Sequence, residues 1–82
     1  MRDKKFLPMA WHFERVSARE SYTFRWGRGA GVITVHRGDL RGSHSDDGLV
    51  DTVEIGIDWM DDQDVRVQAR KWLRANAGRG VR

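Results

Sequence analysis

Apolar side chains recur at every second position in four short stretches of this chain, and then the period lengthens to that of a helix. Met9, Trp11 and Phe13 alternate with His12 and Glu14; Tyr22, Phe24 and Trp26 alternate with Thr23 and Arg25. Ile33 and Val35 lead a third stretch beside Thr34 and His36. Val53, Ile55, Ile57 and Trp59 lead the fourth beside Thr52, Glu54 and Gly56. Alternation of this kind predicts antiparallel strands with one buried and one wet face. Ser17–Glu20 is short enough for a hairpin, and Gly27-Arg28-Gly29-Ala30-Gly31 supplies the glycines of a second turn. Gly38–Gly48 reads as a longer, polar and mobile loop.

After Trp59 the spacing changes. Asp61 or Asp62 suits an N-cap, with Asp64 in the first turn. Val65, Ala69, Trp72 and Leu73 form one stripe, and Gly78 suits the residue beyond the end. The spacing predicts a helix over 61–77. Asp62 stands four residues before Arg66, the favourable order for a helical ion pair. One sheet face needs cover and one helix has a stripe to bury, so the expected fold is α+β. It is a four-stranded antiparallel sheet with one C-terminal helix packed on one face (ββββα). All four tryptophans, Trp11, Trp26, Trp59 and Trp72, fall on the faces expected to meet.

Eighty-two residues suit a single small domain over 1–82, with frayed ends at 1–7 and 78–82. No cysteine is present, so disulfides and thiolate chemistry are excluded, and a reducing, cytoplasmic setting is expected. No stretch is apolar enough for a signal peptide or a membrane span, and no membrane partner is expected. The bias of twelve arginines over three lysines suggests a G+C-rich source, such as a phage or bacterium.

Charge is sorted along the chain. Residues 1–45 carry nine Lys/Arg against four Asp/Glu, residues 46–64 carry eight acids and no base, and residues 65–82 carry six bases and no acid. The helix therefore has acids at its positive end and bases towards its negative end. Two sets of cations are candidate ligands for nucleic-acid phosphates. Arg66, Arg70, Lys71 and Arg74 lie on the helix opposite its apolar stripe. Arg25 lies on the wet sheet face with His12, Thr23, Thr34, His36 and Thr52, and Arg28 at the tip of the second turn. With the aromatics assigned to the core, this face has no platform for unpaired bases, so single-strand binding is not expected.

Other motifs carry less. The glycines of 27–31 precede a strand, not the helix that a phosphate loop requires. Asp58, Asp61, Asp62 and Asp64 lack calcium-loop spacing, and His12, His36 and His44 lack zinc spacing. Ser43-His44-Ser45-Asp46-Asp47 names the members of a triad, but neighbours on a loop cannot be pre-aligned. Arg37-Gly38-Asp39 is a chance tripeptide in a cytoplasmic chain. No enzyme activity, cofactor or metal is expected. The strand-to-helix order over 54–73 resembles, at fold level, the arm-binding domains of phage-type integrases and plant AP2 domains. That resemblance implies duplex DNA as partner and assigns no residue. The expected function is a small non-enzymatic DNA-binding accessory or regulatory module. The alternative is a protein-interaction module that binds one partner protein, with a homodimer through an edge strand as a variant.

Overall fold

The computed structural model describes residues 9–27, 31–41, 46–56 and 61–76. Four strands, β1 (Met9–Ser17), β2 (Glu20–Gly27), β3 (Val32–Arg37) and β4 (Leu49–Glu54), are followed by one helix, α1 (Asp62–Asn76). The strands form one antiparallel sheet in the order β1-β2-β3-β4. The architecture is the expected ββββα fold. The expected strand positions of Ile57 and Trp59, the turn tip at Arg28, the Gly78 cap and the frayed ends at 1–7 and 78–82 lie outside the described residues.

On the central strands the alternation predicts the faces correctly. Trp26, Phe24 and Tyr22 stand opposite Ile33, Val35 and Arg37. The apolar residues of this row are buried with Val65, Ala69 and Trp72 of α1. Val53, Ile55 and Leu73 pack at the margin of the same cluster. Trp72 meets Tyr22 and Phe24 edge-on, with ring centroids 5.1 and 5.7 Å apart. Its indole Nε1 donates to Asp51 Oδ2 at 2.7 Å, anchoring the helix to β4. Large aromatics each remove roughly 150–250 Å² from water, so these rings dominate a core of this size. Among the described residues Trp26 Nε1 is buried without a hydrogen-bond partner, a penalty of about 1–3 kcal/mol that the ring's burial must exceed.

β1 presents the opposite face from the one expected. Ala10, His12 and Glu14 stand opposite Trp26, Phe24 and Tyr22, on the helix side, whereas Trp11 and Phe13 stand opposite Arg25 and Thr23 on the far side. The cause is a bulge. Ser17 pairs with Glu20, but the next pair is Arg15 with Ser21, so Val16 has no partner. Uninterrupted pairing from Ser17 would have set Phe13 opposite Phe24 and Trp11 opposite Trp26. One extra residue moves a strand's side chains to the other face. Ala10 beneath the helix is fully buried, and its small side chain lets α1 lie close over β1 and β2.

The far face is not wet at its centre. Thr23 is 0% and His36 1% exposed, because both described parts of the Gly38–Gly48 loop dock onto them. Thr23 Oγ1 donates to Gly38 O at 2.5 Å and accepts from Leu40 N at 2.8 Å. His36 Nδ1 donates to Asp47 O at 3.1 Å, and its Nε2 pairs with Thr34 Oγ1 at 2.9 Å. Gly48, at φ +68°, accepts at its carbonyl a hydrogen bond from the Arg37 N–H at 2.8 Å. A Cβ on Gly48 would lie 2.8 Å from Arg37 O. These polar anchors tie the described loop residues to the far face of the sheet.

Asp61 is the N-cap of α1, with Asp64 closing a reciprocal capping box. Asp64 N donates to Asp61 Oδ1 at 2.9 Å, and Asp61 N to Asp64 Oδ2 at 3.1 Å. The two edge strands each have one backbone donor already taken by a carboxylate. Trp11 N donates to Asp62 Oδ1 at 2.9 Å, and Thr52 N to Asp51 Oδ1 at 2.8 Å. Pairing with a second copy through either position would have to displace an aspartate.

Candidate nucleic-acid interface

The solvent side of α1 is built by helical spacing alone. Arg66, Arg70 and Arg74 follow one another at four-residue intervals, about 6 Å of rise each, with Lys71, Gln63 and Val67 between them. These six side chains line a shallow open groove of about 330 Å³. Val67, at its centre, is 50% exposed.

Neighbouring carboxylates neutralise little of this stripe. The expected ion pair between Asp62 and Arg66 is replaced, because Asp62 is held by the Trp11 N–H of the sheet edge. Among the described residues no carboxylate lies within ion-pair distance of Arg66, Lys71 or Arg74. Arg70 is the tethered member, its Nε 3.3 Å from Glu14 Oε1. Glu14 also accepts from His12 Nε2 at 2.8 Å. The hydrogen bond from His12 and, behind it, the charge of Arg70 outweigh partial burial and hold the Glu14 carboxyl below its ordinary value. His12 thus belongs to the helix side of the sheet, not to the far face where its alternation had set it.

Arg25 is on the opposite side of the molecule from this stripe. Its side chain is 11% exposed, donates to Asp46 Oδ1 at 2.8 Å, and lies over the Trp11 ring at 6.0 Å. A guanidinium so enclosed is a structural tie between sheet and loop more than an offered phosphate ligand. Arg28 lies outside the described residues. The structure therefore brings together Arg66, Arg70, Lys71 and Arg74 and separates Arg25 from them.

Two residue pairs on the far face escape the sequence reading. Arg25 covers Trp11, and Arg41 covers Phe13 at 4.7 Å from its centroid. The unpaired Val16 that turns these rings outward depends on hairpin pairing, which alternation within one strand does not report.

Among the described residues, no group of three or more His, Asp or Glu side chains is placed to hold a metal ion, and no helix is long and apolar enough to cross a membrane. Ser43, His44, Ser45 and Asp58 lie outside the described residues. Comparison with known proteins gives no match to any family model, curated protein or solved structure.

Proposed function

We propose that this chain is a small non-enzymatic module that binds duplex DNA through the exposed face of α1, with Arg66, Arg70, Lys71 and Arg74 as phosphate ligands. The observation that carries this reading is a cationic stripe that works against the helix bearing it. Arg66/Arg70, Arg70/Arg74 and Lys71/Arg74 are like-charged neighbours, each costing about 0.2–0.5 kcal/mol. The helix dipole rewards cations in the last turn only, by about 0.3–1 kcal/mol, and there it accounts for Arg74. Glu14 accounts for Arg70. Among the described residues Arg66 and Lys71 have no such compensation, and a polyanion supplies it.

If Arg66, Arg70, Lys71 and Arg74 each neutralise one phosphate, log K should fall against log salt with a slope of about −3.6. That is roughly a 150-fold loss of affinity between about 50 and 200 mM salt. Anisotropy with a labelled duplex measures it, and Arg66→Gln or Arg74→Gln should each flatten the slope by about 0.9. Absence of binding at low salt, or binding indifferent to salt, refutes the proposal.

The half-exposed Val67 supports a second reading, an acidic protein partner that seats this side chain in a pocket. Val67→Ser separates the two. Duplex affinity carried by phosphates should stay within about twofold, whereas docking through an apolar anchor should fall by tenfold or more.

A further inference from the structure

The sheet face opposite α1 was expected to lack a surface for unpaired bases because its aromatics were assigned to the core. The bulge at Val16 removes that premise. Trp11 and Phe13 are both half-buried on this face, two residues apart on one strand and so about 7 Å from each other. That is about twice the 3.4 Å between successive nucleotides of a stacked strand.

The material covering these rings is informative. Each faces a guanidinium, Arg25 over Trp11 and Arg41 over Phe13, a planar cation that stacks on a ring as a nucleobase does. Arg41 is 56% exposed on its side chain and is held by Asp39 of its own loop, Nε to Oδ1 at 2.9 Å and Nη2 to Oδ2 at 2.8 Å. Asp39 in turn feels Arg41 first and Arg15 more weakly, and both hold its carboxyl below the ordinary value. The face thus sets three guanidiniums, from Arg15, Arg25 and Arg41, around the carboxylates of Asp39 and Asp46.

We propose that this face is a second nucleic-acid site, specific for single strands, in which Trp11 and Phe13 stack unpaired bases and Arg41 exchanges its Asp39 carboxylate for a backbone phosphate. Exposed ion pairs are worth little, and phosphate offers Arg41 the same bidentate geometry that Asp39 does. Thr23 and His36 hold the loop backbone while the Arg41 side chain swings from ring to phosphate. No base pair, duplex groove or cation of the α1 stripe is involved, so this site stands or falls independently of the duplex reading.

The test is anisotropy of a short labelled oligo(dT) at about 50 mM salt. Trp11→Ala should weaken binding about tenfold or more. Trp11→Phe, which keeps a stacking face, should lose no more than about threefold. Arg41→Gln, at an exposed position, should weaken binding and lower the salt slope by about 0.7. Arg66→Gln should affect the oligonucleotide less than it affects a duplex. Failure of the wild-type chain to bind oligo(dT), or affinity that follows Arg66 and ignores Trp11 and Arg41, overturns the proposal. Should Trp11→Ala not fold, Arg41→Gln decides: unchanged oligonucleotide affinity overturns it.

Discussion

Replacing Thr23 by valine removes one oxygen and almost no volume from the far face of the sheet, which isolates what the docked loop contributes. The Thr23 hydroxyl serves two loop groups, the Gly38 carbonyl and the Leu40 N–H. Each such bond has a net worth of about 0.5–1.5 kcal/mol, and each buried group left unpaired costs about 1–3 kcal/mol. If the loop stays in place, Thr23→Val should therefore destabilise the fold by about 2–4 kcal/mol. If the loop lifts instead, both groups reach water and the loss is capped at the free energy of docking. Valine's slightly better strand propensity offsets only a small part of this. For a domain of this size the fall in Tm should be about 10–20 °C. Urea unfolding measures the stability, and hydrogen exchange at Leu40 separates the two routes, since its amide loses protection if the loop lifts. Thr52→Val is the control: that residue shares the far face but is exposed, so its replacement should stay within about 0.5 kcal/mol. Equal, small effects at both positions would refute the docked loop.

Two other outcomes follow from local geometry. Gly48→Ala combines a left-handed backbone with a Cβ 2.8 Å from Arg37 O; it should destabilise by more than the roughly 1 kcal/mol of a strained φ alone, measurable as a lowered urea midpoint at unchanged m-value. Glu14 has a folded-state value below its ordinary 4.5, so its stabilising contribution is present above about pH 4.5 and is lost as pH falls through the lower folded value. Glu14→Gln should accordingly lower Tm at neutral pH, and the gap from wild type should close in acid.

The sheet and the helix are legible from spacing because burial on one side imposes a period on each element, and Tyr22, Phe24 and Trp26 obey it. β1 obeys it too, but Met9, Trp11 and Phe13 could satisfy the same alternation facing either way. Which way is decided by how Ser17 and Glu20 close the hairpin and by the unpaired Val16, a property of two strands together. The loop was illegible for a related reason. Its anchors, Thr23 and His36, are polar residues whose burial depends on backbone groups many positions away. On α1 the cationic stripe is a local matter of four-residue spacing and reads directly. The loss of the Asp62–Arg66 pair is not local, since Asp62 is claimed by Trp11 from a different element.

The bulge at Val16 gives a single residue control over the outward chemistry of β1. Pairing Val16 with Ser21, so that no residue is left over, would roll the strand over, pressing an indole and a phenyl ring against a helix that now rests on alanine, and turning an imidazole and a carboxylate towards the Gly38–Gly48 loop. Arg70 would lose its tether and the far face its aromatic rings. A one-residue slip of register in that hairpin would thus reassign both surfaces at once, a far larger step than any substitution on either of them.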